Sequence, residues 1–228
     1  MANHIDNFDE QRRFDQLREN MVEWQLYDRG IFDPRVLDAM RTVPREEFVP
    51  DFLRHEAYED GPLPIGHGQT ISQPFTVAYM VQALELTGDE DALEIGTGSG
   101  YGAAVLSRLV RSVHTIERIP ALAQKAQLRL RDLGYDNVIV HIANGTLGLP
   151  DHSSFDAIVV TAGAAELPQP YAKQLADGGR IVIPLGETIT NQRLARFTKH
   201  GDQLQEENLG RFAFVPLIGK HGWHEIKN

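Results

Sequence analysis

Phe14, Leu17, Met21 and Trp24 recur three and four residues apart in a charged background, so residues 8–29 predict an amphipathic helix closed by Gly30, its apolar stripe packed in the core. Asp33-Pro34 then supplies an N-cap and a first-turn proline, which predicts a second helix through Met40. Prolines 44 and 50 bound Val43–Pro50 and predict an extended or single-turn linker. Gly61, Pro62, Pro64, Gly66 and Gly68 make residues 55–70 read as a loop, ordered by Tyr58, Leu63 and Ile65. A helix is expected from Ser72-Gln73-Pro74 to Leu86.

Beyond Gly88 the pattern changes to alternation. Short apolar runs at 92–95, 113–116, 138–142, 156–161 and 180–184 predict strands, and 101–110, 120–133 and 168–176 predict the helices between them. Residues 192–199, 203–209 and 212–216 read as closing strands with no strong helix between the first two. The expectation is an α/β fold: a doubly wound, mostly parallel sheet with an antiparallel hairpin near its end. Residues 1–75 read as a helical and loop extension, and 76–228 as the core.

Composition narrows the function more than the fold. The 228 residues, 42% of them hydrophobic, can bury one sizeable core. Acids outnumber bases 32 to 22 and the net charge is −10, which argues against nucleic acid as a substrate, since phosphate backbones are met by clustered Lys and Arg. With no cysteine there is no disulfide, thiolate metal site or Cys nucleophile. No apolar run approaches a membrane span, and the first residues lack the basic and apolar regions of a signal peptide. A cytoplasmic protein with no membrane partner is expected.

The candidate chemistry centres on Ala92-Leu-Glu-Ile-Gly-Thr-Gly-Ser-Gly-Tyr-Gly102, a strand, glycine turn and helix start. Glycines allow close approach of a ligand to the main chain, and the helix start offers free N–H groups. Either a cofactor loop or a plain glycine-rich turn would read so. A dinucleotide site requires G-x-G-x-x-G, and the sixth position from Gly96 is Tyr101. Glu117 ends the second core strand, where an acid accepts from both ribose hydroxyls of a nucleoside; the alternative is a surface carboxylate paired with Arg118. Asn144-Gly145 ends the third, as an adenine reader or as an Asn-Gly turn. Ser72 stands where a helix N-cap is expected, a position equally suited to an anion. No G-x-S-x-G elbow makes it a nucleophile. The nine histidines show no H-E-x-x-H or H-x-x-x-H spacing, so no metal site is expected. His221 and His224 read as a solvated tail, and His67 as a loop residue that could face a substrate.

Several blocks together resemble protein-L-isoaspartate O-methyltransferases from about residue 18 to residue 219: Val43-P-R-E-E-F-V-P50, Ala57-Y-E-D-G-P-L-P-I-G66, Gly68-Q-T-I-S-Q-P74, Leu93-E-I-G-T-G-S-G-Y-G102, Thr115-I-E-R118, Phe155-D-A-I-V-V-T-A162, Gly178-G-R-I-V-I-P-L-G186 and Phe214-V-P-L217. The segment from Gly68 to Pro74 is the specific one, since methyltransferases at large share the glycine loop. The chain departs from the family's pattern at Asn144, where Asp is usual, and at Gly102, where Gln is usual. The resemblance implies a class I S-adenosylmethionine-dependent, Rossmann-like fold, with the extension packing on the core and contributing to the substrate site. It implies methyl transfer from S-adenosylmethionine to the α-carboxylate of L-isoaspartyl residues in damaged proteins and peptides; separately, a monomer is expected. It places Ser72 as the active-site serine. At the cofactor it places Gln69, Thr70, Ile71, Glu94, Gly96, Thr97, Gly98, Gly100, Glu117, Asn144 and Gly145, with Thr161 at the strand edge near the reacting carboxylate. A carboxyl methyltransferase with one dedicated peptide or small-acid substrate, and a non-catalytic S-adenosylmethionine-binding module, are the alternatives.

Overall fold

The computed structural model describes residues 2–152, 154–188 and 190–224. The chain forms two compact units, Met1–Gln82 and Ala83–Asn228, where the sequence suggests a division after residue 75. At the end of the first unit the Gln82 side chain ties it to the chain near Gly30: its Oε1 accepts from Phe32 and Asp33 N–H at 2.7 and 2.9 Å and its Nε2 donates to the Gly30 carbonyl at 3.2 Å.

In the first unit α1 (Ala2–Asn20) runs on through a π-helical turn (Met21–Leu26) and a 3-10 turn (Tyr27–Arg29) to Gly30. Phe14, Met21, Val22 and Leu26 are buried, but Trp24, expected in the core, is 61% exposed. A π turn uses more residues than an α turn, which breaks the 3.6 period on which the stripe was drawn. Asp33 caps α2 (Pro34–Thr42) through the Arg35 N–H at 2.9 Å. Residues 43–50 hold a single 3-10 turn (Arg45–Phe48), and another follows at Asp51–Glu56. The expected loop contains an antiparallel hairpin, β1 (Leu63–Gly66) and β2 (Gln69–Ile71), around His67-Gly68, both at positive φ as a tight two-residue turn requires. The prolines and glycines hide its alternation. The next helix, α3 (Pro74–Ala83), stops short of Leu86, and Glu85 stands at φ +50° just past its end.

The second unit holds a seven-stranded sheet, in chain order β3 (Asp91–Ile95), α4 (Tyr101–Ser107), β4 (Ser112–Glu117), α5 (Pro120–Asp132), β5 (Val138–Ile142), β6 (Phe155–Val160), α6 (Gln169–Gln174), β7 (Leu175–Thr188), β8 (Asn191–His200) and β9 (Gln203–Phe212). The strands lie in the order β5-β4-β3-β6-β7-β8-β9; the first five are parallel, and β8 runs antiparallel to both its neighbours. This is the expected α/β sheet with one reversed strand near its end. The separate strand expected at 212–216 is absent: β9 ends at Phe212, and the described chain that follows makes isolated bridges from Pro216 to Gly163 and from Ile218 to Trp223. One face carries Leu93, Ile95, Ile116, Ile158, Val160, Ile181 and Ile183 into a core closed by Tyr171 and Leu175. The opposite face packs against α4 and α5. Because β4 lies on one side of β3 and β6 on the other, the winding reverses between β3 and β6, and the carboxyl ends of these strands frame a ligand crevice.

A second feature of the sheet is a histidine group. His114 Nδ1 and His141 Nε2 lie 3.0 Å apart with rings stacked, and His152 meets His114 edge-on. Burial, then the neighbouring His152, holds both His114 and His141 below the ordinary imidazole range; for His114, Asp91 opposes this. The folded state therefore binds fewer protons than the unfolded chain once the pH falls below about 6.5. Stability should fall as the pH drops from 7 through 6 toward 5, and His114→Phe should flatten that decline. Urea midpoints measured over this range test it; an unchanged slope in the variant overturns the assignment.

Candidate cofactor and substrate site

Four strand ends meet at the crevice. After β3, the loop folds back so that the Gly96 and Thr97 N–H groups donate to the Ile116 carbonyl at 2.9 and 3.2 Å. Gly96 takes φ +102°, and a Cβ built there would lie 2.2 Å from Thr161 Oγ1. Thr161, following β6, donates that hydroxyl to the Ile95 and Gly96 carbonyls at 3.0 and 2.9 Å. The glycine turn and the β6 end are thus one packed unit, with Thr161 holding the loop. Gly100, φ +93°, sits against Ala126 and Leu130 of α5 and begins α4.

Glu117 ends β4 with its carboxylate turned back to the loop. Oε2 accepts from the Gly98 N–H and Oε1 from the Ile119 N–H, each at 2.9 Å. Each oxygen keeps a second lone-pair direction, so the side chain can still receive a ribose hydroxyl. The expected alternative, a surface carboxylate, does not describe it: Glu117 is buried.

Asn144 follows β5. Its Oδ1 accepts from the Thr146 N–H at 3.1 Å and the Thr146 hydroxyl at 2.8 Å, capping a 3-10 turn, Gly145–Leu147. The two Asn144 readings therefore merge in part: the carbonyl is committed to the turn, which leaves the Nδ2 amide as a donor for an adenine ring nitrogen. Gly145 is packed under Ile95, whose Cγ2 would lie 2.7 Å from a Cβ, and its carbonyl accepts from the buried Tyr171 hydroxyl at 2.9 Å. A carboxylate, an amide donor and a glycine turn, borne on adjacent strand ends, match the ribose, base and amino-acid portions of an adenosyl cofactor.

Glu94 lies on β3, the strand that leads into the glycine turn. It is 1% exposed on the helix-covered face, with Oε2 accepting from Thr115 Oγ1 at 2.6 Å. Burial, with the negative charge of Glu117 adding to it and the Thr115 hydrogen bond opposing it, pushes its pKa up to about 8.

In the first unit, Ile71 is buried, Thr70 exposed, and Gln69 Nε2 donates to the His67 carbonyl at 3.3 Å. His67 is exposed at the hairpin turn. Ser72 is half-buried and is not the cap of α3: the Val77 N–H donates to the Gln73 carbonyl at 3.2 Å, so Gln73 holds that position. Among the described residues nothing hydrogen-bonds the Ser72 hydroxyl. Its carbonyl is held by Arg45 Nη2 at 2.8 Å, while Arg45 Nε donates to Ala57 at 2.7 Å.

Sequence reading did not find Arg45, a fully buried guanidinium whose partners lie 12 and 27 residues away. It also missed Gln192, which holds the Phe214 main chain in both directions, at 2.9 and 3.2 Å. The segment that follows lies along Gly163, whose N–H donates to Val215 and whose carbonyl accepts from Leu217, each at 2.8 Å, and from Trp223 Nε1 at 3.0 Å. Trp223 is therefore docked between the exposed His221 and His224.

Comparison with known proteins agrees with this geometry. The sequence profile of the family described as Protein-L-isoaspartate(D-aspartate) O-methyltransferase (PCMT) matches residues 16–222. Protein-L-isoaspartate O-methyltransferase 2 of Pelobacter propionicus is 56% identical over 207 residues, 90% of this chain and 92% of that protein. Protein-L-isoaspartate O-methyltransferase 1 of Syntrophobacter fumaroxidans is 54% identical over 210 residues, covering 92% and 98%. Among solved structures, a protein-L-isoaspartate O-methyltransferase superposes with a TM-score of 0.80 at 30% identity, over 90% of this chain and 66% of that one. A Plasmodium falciparum chain assigned as a beta-aspartate methyltransferase (PCMT), solved with S-adenosyl-L-homocysteine, gives 0.75 at 27% identity, over 90% and 98%.

Proposed function

The chain belongs to the protein-L-isoaspartate(D-aspartate) O-methyltransferase family, and on that premise we propose which of its residues carry out the reaction. It is an S-adenosylmethionine-dependent protein-repair methyltransferase that acts on isoaspartyl-containing proteins. The observation that carries the assignment of roles is the meeting of the glycine turn, Glu117, Asn144 and Thr161 on four adjacent strand ends. When bound, S-adenosylmethionine supplies a sulfonium-activated methyl group. Gly96, Thr97, Gly98 and Gly100 shape the turn at its methionine end, Glu117 receives the ribose hydroxyls, and Asn144 Nδ2 with Gly145 reads the adenine.

The substrate needs no general base, because a carboxyl group of ordinary pKa, about 4, is already ionised at pH 7. The protein's task is then to orient the oxygen and exclude water. Ser72 positions the isoaspartyl α-carboxylate with its hydroxyl. Gln69, Thr70 and Ile71 flank it at the cofactor, and Arg45 fixes the main chain from which the hydroxyl projects. The unbonded hydroxyl supports this role over a nucleophilic one, since no base is in place to activate it. Main-chain contacts, which do not depend on side-chain identity, let the protein accept substrates of many sequences. A monomer in the cytoplasm, acting on neither nucleic acid nor membrane, completes the proposal. In support, the net charge is −10, and no helix among the described residues is long and apolar enough to cross a membrane.

The experiment is a methyl-transfer assay on an isoaspartyl peptide and its normal aspartyl twin, over several flanking sequences. Turnover of the isoaspartyl members alone, across sequences, is expected. Turnover confined to one sequence would establish a dedicated carboxyl methyltransferase, and cofactor binding without transfer a binding module.

A further inference from the structure

Two acids stand on the same face of the sheet under the glycine turn, and each serves a different residue of it. Glu117 holds Gly98 directly, through its N–H. Glu94 reaches Thr97 through a hydroxyl pair: Thr97 Oγ1 lies 2.7 Å from Thr115 Oγ1, which donates to Glu94 Oε2 at 2.6 Å. The three side chains thus form one hydrogen-bonded chain, from Thr97 through Thr115 to Glu94. Glu94 Oε1 occupies space that only a glycine at 102 leaves open, 2.2 Å from where a Cβ would stand. Its carboxyl group is therefore enclosed by β4 on one side and the first turn of α4 on the other. Of the ionisable groups on these elements, Glu117 is the charged one beside it. Arg129 of α5 is engaged with the Ser99 carbonyl at 2.9 Å, and α4 contributes only the buried Tyr101 phenol.

Two carboxylates this close under one loop cannot both ionise without cost. Glu117 accepts two backbone N–H groups, whereas the hydroxyl of Thr115 is the one hydrogen-bond partner of the Glu94 carboxyl group among the described residues.

We propose that Glu94 is a positioning residue for the cofactor loop: it acts in its neutral form through Thr115 and Thr97, and by staying neutral leaves Glu117 as the anionic acceptor. This rests on the cofactor assignment above. Glu94 sets the Thr97 side chain without touching the ligand. Ionisation above pH 8 places a second buried negative charge beside Glu117 and loosens the turn.

The test uses S-adenosyl-L-homocysteine binding by calorimetry from pH 6.5 to 9.5, on the wild type, Glu94→Gln, Glu94→Ala and Thr115→Val, with thermal unfolding of the ligand-free proteins over the same range. The wild type should lose about tenfold in affinity between pH 7 and 9.5. Glu94→Gln, neutral at every pH, should match it within about twofold at pH 7 and keep that affinity at pH 9.5. Glu94→Ala and Thr115→Val should be weaker by about tenfold at pH 7. The ligand-free wild type should also lose unfolding temperature toward pH 8 where Glu94→Gln does not. If Glu94→Gln is as weak as Glu94→Ala at pH 7, the charged form is required and the proposal fails. It fails equally if wild type and Glu94→Gln decline together. A wild type that binds no S-adenosyl-L-homocysteine at any pH would instead overturn the cofactor assignment itself.

Discussion

Gly96→Ala should cost about a hundredfold in cofactor affinity and lower the melting temperature by about 5–10 °C. Two effects add. The residue sits at φ +102°, where an L side chain is strained by roughly 1–2 kcal/mol. Its new Cβ would also meet Thr161 Oγ1 at 2.2 Å, a separation that real contacts do not reach. To relieve it the Thr161 hydroxyl must leave the Ile95 and Gly96 carbonyls, and those bonds contribute about 1 kcal/mol between them or somewhat more. A sum near 3 kcal/mol corresponds to about two powers of ten. The second site makes the argument checkable: Thr161→Ala removes the clashing oxygen and leaves its Cβ position 3.6 Å from the new methyl. The double variant should therefore bind better than Gly96→Ala alone while remaining weaker than wild type, a coupling that a double-mutant cycle measures. Wild-type binding by Gly96→Ala, or strict additivity in the cycle, would sink the account.

Residues whose meaning is local were legible in the chain, and those whose partners are distant were not. The glycine turn, the strand-end acid Glu117 and the capped start of α2 announce themselves within a few positions, because each answers a nearby backbone need. The sheet was legible for the same reason, its buried strands being short apolar runs between helices. Trp24 was misplaced because a π turn is invisible to a search at the α period. The β1–β2 hairpin was missed because Pro and Gly interrupt its alternation. Asn144 shows the limit most plainly: the sequence marks it as a turn or an adenine reader, and only the Thr146 contacts reveal that its carbonyl serves the first role and its amide remains for the second. Glu94 shows in sequence only that it precedes the glycines. On β3, whose side chains alternate between faces, it shares Thr115's face, beneath α4.

Ser72→Ala should lower kcat/KM for an isoaspartyl peptide by about 10–100-fold while leaving S-adenosyl-L-homocysteine affinity within about twofold of wild type. The magnitude follows from the bond removed: a hydroxyl donating to a charged carboxylate contributes about 1.5–3 kcal/mol, and each 1.4 kcal/mol is about tenfold in rate. A nucleophile would behave differently, since its removal leaves only background reaction. The structure favours the smaller loss. The Ser72 hydroxyl has no hydrogen-bonded base among the described residues, whereas its carbonyl is held by the fully buried Arg45, an arrangement that fixes where the side chain projects without raising its reactivity. The distinction can be read directly with methyl-labelled S-adenosylmethionine in the absence of peptide. No label should remain on the wild-type chain, and the residual activity of Ser72→Ala should stay measurable above the uncatalysed rate. A labelled Ser72 in the wild type would make the serine a covalent participant and remove the positioning role.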